Sequence, residues 1–311
     1  LLQEKYPKAR AGSGVLINVK TGAVIAMVSY PYLDPNDFAN GLSNDKVDYY
    51  MNNNDKPLFN RSVAGAYPPG STFKMVTLTA ALMSGKITED TRITCTPSAW
   101  VDPKAICPRA HGSVNMYEAL AVSCNNFFQD IALMATAEEL YKAGWEYGLG
   151  HVTGIELPGE VSGLLPDAEW KANRFTGREA YWRPYDTYYM SMGQGYNMVT
   201  PLQLCNYVAT IANGGYNMRP YLVSKVLNPD GETIYEKQPV VNNQVEATAE
   251  QMAQVRKAMR AVAQPGGSAY SLFRNFPIEV AAKTGTAQTG LVADDPNKDY
   301  HGIFVAFAPY D

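Results

Sequence analysis

Residues 66–76 read AYPPGSTFKMV, and the reading of this stretch decides how the rest of the chain is assembled. Two prolines and a glycine stop any regular element before Ser71. The apolar residues that follow, Phe73, Val76, Leu78, Ala81 and Leu82, keep close to one helical face until Gly85. The spacing predicts a helix that starts at Ser71 with the serine as its N-cap, because a serine oxygen readily accepts from the free N–H groups of a first turn. The same position suits a nucleophile. Those free N–H groups and the positive end of the helix dipole favour a developing oxyanion. Lys74 stands one turn on, on the same face. A lysine deprived of its proton by burial or by nearby positive charge can take the hydroxyl proton. An isolated Ser-x-x-Lys is far more often a cap than a catalyst, so the flanking sequence has to decide.

Outward from this stretch, residues 14–19 (GVLINV) and 23–30 (AVIAMVSY) flank Lys20, Thr21 and Gly22 and read as two strands joined by a turn. The stretch 34–62 is rich in Asn and Asp and reads as loop with at most a short helix. A helix at about 115–122 leads to Ser123, Cys124 and Asn125, and another follows from Asn126. Thr136 with Glu139 is a capping-box pattern opening a helix that Gly148 ends. Thr200-Pro201 opens a helix stopped by Asn213, Gly214 and Gly215, and a helix over 249–263 is stopped by Pro265, Gly266 and Gly267. Short β-like runs occupy 279–282 and 303–308. Strands near both termini with helices between them predict an α/β fold with a sheet built from distant segments. We expect sheet-forming parts at about 10–35 and 270–311 and a helical subdomain at about 71–190. No internal repeat or low-complexity segment is present.

Two companions raise Ser71 above a cap. Ser123 and Asn125 offer a hydroxyl and an amide two residues apart at a helix junction, able to relay a proton and hold a substrate amide. Lys283, Thr284, Gly285 and Thr286 continue a strand whose edge can pair with an extended peptide. Lys283 supplies positive charge, the threonines supply hydroxyls, and Gly285 allows close backbone approach. The order SxxK, SxN, KTG at well-separated positions is far less expected by chance than any one element.

With these motifs the sequence resembles the transpeptidase domain of class B penicillin-binding proteins. The segments TGAVIAMVSYPYLDPNDF, AYPPGSTFK, HGSVNMYEALAVSCNNFF, GIELPGEVSGLLP, MGQGYNMVTPLQL and AAKTGTAQ resemble family segments in family order. The resemblance implies the fold shared by penicillin-binding proteins and serine β-lactamases, with a largely antiparallel central sheet flanked by helices. It implies that Ser71 is acylated, that Lys74 is its base, that Ser123 relays a proton and that Asn125 binds the substrate amide. Lys283, Thr284 and Thr286 would hold the terminal carboxylate, beside Gly285, and the N–H groups of Ser71 and Thr286 would form an oxyanion hole. The implied reaction is D,D-transpeptidation of peptidoglycan stem peptides with no cofactor in catalysis, open to acylation by β-lactams. The resemblance further implies an extracytoplasmic position, an N-terminal membrane anchor and non-catalytic module before Leu1, strands and a helix after Asp311, and a glycosyltransferase partner.

Three rivals share the motifs: a D,D-carboxypeptidase, a serine β-lactamase and a β-lactam sensor that acylates once. A lactamase needs a carboxylate to activate water. Glu156 and Glu160 lie in GIELPGE, which resembles a transpeptidase segment instead. Composition excludes other classes. The chain has 311 residues, 46% of them hydrophobic and 18% charged, with a net charge of -4, so it carries no electrostatic footprint for nucleic acid.

Cys95, Cys107, His111 and Cys124 cluster in sequence, and thiolate with imidazole is the ligand set that tetrahedral zinc prefers. A structural Zn2+ is one reading, with Asp102 as a reserve ligand; a Cys95–Cys107 disulfide and unlinked thiols are the others. Cys205 reads as core, and His151 and His301 as structural or exposed.

Overall fold

The computed structural model describes residues 9–39, 41–96, 107, 109–288 and 300–311. The chain opens with the expected antiparallel pair, β1 (Gly12–Ile17) and β2 (Val24–Tyr30). The Asn- and Asp-rich stretch, expected as loop with at most one short helix, forms two short helices, α1 (Pro35–Ala39) and α2 (Asn44–Asn52). Local polar bonds hold them. Ser43 caps α2 by accepting from the Lys46 N–H, and Tyr50, the one buried residue of α2, donates to Asp37 Oδ2 at 2.6 Å. Polar composition therefore hid a helix that needs little core.

A 3-10 turn, Gly70–Phe73, runs directly into α3 (Lys74–Met83). The sequence predicted one apolar face here, but Lys74 through Leu82 are all buried. The two threonines that interrupt the apolar pattern satisfy their hydroxyls internally. Thr77 donates to Ser191 O at 2.8 Å, and Thr79 donates to Met75 O at 2.8 Å. Burial on every side makes α3 the axis of the core.

Strands β3 (Ile93–Cys95) and β4 (Gly112–Val114) form a small antiparallel pair. Helices α4 (Met116–Ala121), α5 (Asn125–Ala135), α6 (Ala137–Glu146), α7 (Ala168–Arg174) and α8 (Pro184–Ser191) follow, and α5 and α6 pack on α3. Both predicted caps form, although at Thr136 only the threonine half of the expected capping box is present. Thr136 Oγ1 accepts from the Glu139 N–H at the start of α6, and Thr200 with Gln203 forms a capping box at α9 (Pro201–Ala212). Beyond α9, the short strands β5 (Tyr216–Met218), β6 (Lys225–Leu227), β7 (Thr233–Glu236) and β8 (Val241–Gln244) make two more antiparallel pairs that periodicity did not reveal. Helices α10 (Ala249–Val262) and α11 (Tyr270–Phe273) lead to β9 (Ala281–Gln288) and β10 (Tyr300–Phe307), which pair antiparallel with Lys283 opposite Val305.

Every strand pair is antiparallel, as expected. Among the described residues, the strands from the two ends of the chain form separate two-stranded units and do not hydrogen-bond to each other. Helix α9 packs against both β1 and β10 and brings the two units to one side of the core. Among the described residues, no helix is long and apolar enough to cross a membrane.

Candidate active site

The 3-10 turn is clamped on two sides by backbone. Gly70 has φ +55°, and its N–H donates to Gly193 O at 2.9 Å. A Cβ on Gly70 would fall 2.8 Å from Thr286 O, and one on Gly193 would fall 2.2 Å from Gly70 O. Only glycine allows strand β9 and the 192–197 segment to close on the turn so tightly. From below, Tyr207 OH donates to Thr72 O at 2.8 Å, and Thr72 Oγ1 donates to Pro69 O at 2.7 Å. Ser71 is half-buried inside this turn. It is therefore not the N-cap that the sequence suggested. Pro69 precedes the 3-10 turn, Phe73 precedes α3, and neither supplies a side-chain cap. The continuous 3-10 to α transition places the turn's N–H groups within helical geometry and leaves the serine hydroxyl free of capping duty.

Lys74, the first residue of α3, is fully buried. Its Nζ donates to Asn125 Oδ1 at 2.7 Å, to Ser123 O at 2.8 Å and to Ser123 Oγ at 3.1 Å. These acceptors favour the ammonium, but burial wins and holds the pKa down to about 8, with the neighbouring Cys107 thiolate opposing. Lys283, also fully buried, donates from Nζ to Ser123 Oγ at 3.0 Å and to Thr284 O at 2.8 Å. Burial, and then the charge of Lys74, push its pKa well below the ordinary lysine range. Two lysines thus meet on one hydroxyl, in an arrangement that disfavours holding two protons at once.

Ser123 owes its position to a helix ending. At the end of α4, the Cys124 N–H donates to Ala119 O at 2.8 Å and the Ser123 N–H to Leu120 O at 3.2 Å. That bond pair is a Schellman motif, whose C′ residue adopts the left-handed conformation and is usually glycine. Here C′ is Ser123, with φ +57°. A non-glycine residue costs about 1–2 kcal/mol in that conformation. The strain turns Ser123 Oγ toward both lysines, while Cys124 becomes the N-cap of α5 and Asn125 its first residue.

The third motif lies on β9 as predicted. Gly285 lets the strand approach the turn: a Cβ there would fall 3.0 Å from Thr72 Cγ2 and 3.3 Å from Ile303 Cβ. Thr284 Oγ1 lies 2.9 Å from Ser268 Oγ. The structure therefore brings Lys74, Ser123, Asn125, Lys283 and Thr284 into one hydrogen-bonded group beside Ser71. Sequence reasoning missed Gly70, Gly193 and Ser268. A glycine before the serine and one inside MGQGY were the available signals for the first two. Glu156 and Glu160 are committed elsewhere. Glu160 accepts from the Thr153 N–H at 2.7 Å, Thr153 Oγ1 at 2.6 Å and the Gly154 N–H at 3.0 Å. Glu156 accepts from the Leu222 N–H at 2.9 Å and pairs with Lys237 at 3.6 Å.

Next to Asn125 lies the cysteine–histidine cluster. One ligand atom each from Cys95, Cys107, His111 and Cys124 lie within 4.8 Å of one another, with the three cysteines buried. Cys107 Sγ and Cys124 Sγ are 3.8 Å apart. A tetrahedral ion with metal–sulfur bonds of about 2.3 Å needs a sulfur–sulfur edge of about 3.8 Å. Cys95 Sγ and His111 Nδ1 are 3.5 Å apart, against about 3.6 Å for the mixed sulfur–nitrogen edge of such an ion. The donor chemistry and these two edges match a tetrahedral zinc site, within a cluster whose ligand atoms spread over up to 4.8 Å. All four cysteines are free thiols, so the Cys95–Cys107 disulfide reading is not met. The Cys107 thiol's pKa is lowered to about 4, first by its contact with the Cys124 thiol at 3.8 Å, against burial, and then by the Asn126 and Asn125 N–H groups that donate to it. Asp102 lies outside the described residues. Cys205 is half-buried in α9, with its Sγ 3.4 Å from Val15 O; the His151 ring packs tilted against Trp145, and the His301 ring meets Tyr67 edge-on.

Comparison with known proteins places this arrangement. The model of the penicillin binding protein transpeptidase domain matches residues 12–311. The peptidoglycan D,D-transpeptidase MrdA of Escherichia coli (strain K12) is 32% identical, covering 100% of this chain and 51% of its own length. Among solved structures, the penicillin-binding protein PBP2 of Helicobacter pylori superposes with a TM-score of 0.84 at 30% identity, covering 99% of this chain and 55% of that one. Pseudomonas aeruginosa PBP2 in complex with WCK 5153 gives a TM-score of 0.79 at 30% identity, covering 99% of this chain and 69% of that one. The chain spans about half the length of the curated relatives it matches. A family match over residues 12–311, the shared fold and three motifs gathered around two buried lysines agree: this chain belongs to the penicillin-binding protein transpeptidase domain family.

Proposed function

We propose that this domain cross-links peptidoglycan stem peptides as a D,D-transpeptidase, through an acyl-enzyme on Ser71. The observation that carries the reading is the convergence of two buried lysines, Lys74 and Lys283, on Ser123 Oγ at 3.1 and 3.0 Å, beside a serine held in a rigid turn. Neutral Lys74 takes the proton of Ser71 as Oγ attacks the carbonyl carbon of the penultimate D-Ala. The oxyanion that forms is met by the N–H groups of Ser71 and Thr286, which lie on the two elements that touch through Gly70. The C–N bond then breaks, and a proton passes through Ser123 Oγ to the leaving D-Ala amine. An amine of a second stem attacks the ester and gives up its proton along the same path, which regenerates Ser71. Asn125 binds the substrate amide, and Lys283, Thr284 and Thr286 hold the terminal carboxylate, with Gly285 leaving room for the peptide. A β-lactam enters the same first step.

The lactamase reading loses support because Glu156 and Glu160 are engaged in other bonds. The stem-peptide substrate puts the reaction on the extracytoplasmic face of the membrane, and we extend the family reading to a glycosyltransferase partner that makes the glycan strands. We read residues 1–311 as one domain with its helical subdomain at about 71–190. Cys95, Cys107, His111 and Cys124 would hold a structural Zn2+. Four protein ligands leave no open position for a reactive water, so the ion would brace Cys124 between Ser123 and Asn125 and take no chemical step.

The test is mass spectrometry after treatment with benzylpenicillin. A single adduct on Ser71, absent from Ser71→Ala, is expected; an undiminished adduct on the variant overturns the reading. For the metal, about one zinc per chain is expected in protein purified without added zinc. Sub-stoichiometric metal together with two missing thiols would refute that assignment.

A further inference from the structure

Thr284 has a partner that none of the motifs names. Ser268 sits in the turn between α10 and α11, with its Oγ 2.9 Å from Thr284 Oγ1. The turn is closely built. The Gly267 N–H donates to Gln264 O at 2.9 Å, and the Ala269 N–H returns to Val262 O at 3.0 Å. A Cβ on Gly267 would fall 2.2 Å from Val262 O, so the residue before Ser268 has to be glycine. The N–H of Ser268 donates to Ala121 O at 3.0 Å, two residues before Ser123. Ser268 is thus fixed by its backbone to the element leading to Ser123, and its side chain faces the strand that carries Lys283.

We propose that Ser268 is a positioning residue for recognition of the substrate carboxylate, acting through Thr284. The inference rests on the reading of Thr284 given under the proposed function. A hydroxyl has one proton to donate, whereas a carboxylate only accepts. With no anion bound, either hydroxyl of the pair can be the donor. A carboxylate at Thr284 removes that freedom: the Thr284 proton goes to the anion, and Thr284 Oγ1 is left to accept from Ser268. Ser268 then fixes the threonine hydroxyl in its donating orientation and polarises it, as linked hydroxyls do. The residue touches neither Ser71 nor the scissile bond, so its contribution lies in binding the anion.

A merely structural tie between turn and strand predicts something different. The discriminating experiment measures acylation by benzylpenicillin and by its methyl ester, which lacks the anion, in the parent, Ser268→Ala and Ser268→Thr proteins. For Ser268→Ala, the second-order constant with benzylpenicillin should fall about tenfold, mostly in the dissociation constant of the encounter complex. The methyl ester should change by less than about twofold, because a neutral ester leaves the threonine without a strong acceptor. Ser268→Thr, which keeps a hydroxyl, should restore at least half of the loss. Equal losses for both compounds, or no loss with benzylpenicillin, overturn the proposal. The ratio between the two compounds is read within one variant and so holds even where that variant is less stable. Failure of the nucleophile assignment would appear separately, as acylation of Ser71→Ala.

Discussion

Raising the pH from 7 to 9 tests the most specific part of the proposal, that burial makes Lys74 the base. Lys74 is held at a pKa of about 8, with burial as the first cause. Its neutral fraction is then about one in eleven at pH 7 and about ten in eleven at pH 9, so the acylation constant should rise about tenfold and level off. An ordinary lysine near 10.4 would give a rise of about a hundredfold over the same interval with no plateau. Stopped-flow acylation with a chromogenic cephalosporin, between pH 6 and 10, reads the difference directly. A profile flat from pH 6 to 8, or one still climbing tenfold per unit at pH 9, would refute the reasoning. Stability carries the same signature. The folded pKa lies below the unfolded value of 10.5, so between about 8 and 10.5 the unfolded chain binds the proton and the folded chain does not. Stability rises with pH across that window, and below pH 8 the buried lysine costs about 3 kcal/mol. Lys74→Met should abolish acylation, flatten this rise, and unfold at a higher urea concentration than the parent at pH 7.

Other outcomes follow from the strained and buried groups. Ser123→Ala and Ser123→Gly both remove the proposed proton relay and should slow acylation by about a hundredfold or more. Glycine fits φ +57° and alanine does not, so urea denaturation should find the glycine variant more stable than the alanine variant by about 1 kcal/mol; equal stability would contradict the strain described here. Lys171 Nζ is buried and bonds both Asp186 oxygens at 2.6 Å, so Asp186→Ala leaves an unpaired buried charge and should cost about 3–5 kcal/mol. Adding Lys171→Met should recover much of that loss in thermal unfolding.

The parts of the site legible in the sequence are those encoded locally. Ser71 and Lys74 are one helical turn apart, Ser123 and Asn125 straddle a helix junction, and Lys283 to Thr286 lie on a strand whose preceding apolar run announces it. Caps at Thr136 and Thr200 were legible for the same reason. What escaped depends on residues far apart in the chain. Gly193 shapes the turn at Gly70 from 123 positions away, and no periodicity contains that relation. The all-round burial of α3 was hidden by two threonines whose partners, Ser191 and Tyr147, lie on other elements. Likewise the left-handed Ser123 carries none of the glycine signature by which such a helix ending is usually recognised.

The contact between Gly70 and Gly193 has a mechanical consequence. It is backbone on backbone, with a hydrogen bond of 2.9 Å and no side chain to absorb displacement by changing rotamer. The segment 192–197 continues from α8, whose first turn is anchored by the Asp186 carboxylate, and that same carboxylate grips Lys171. Strain introduced at Gly193 therefore has no rotamer to relax into and passes to the turn that holds Ser71.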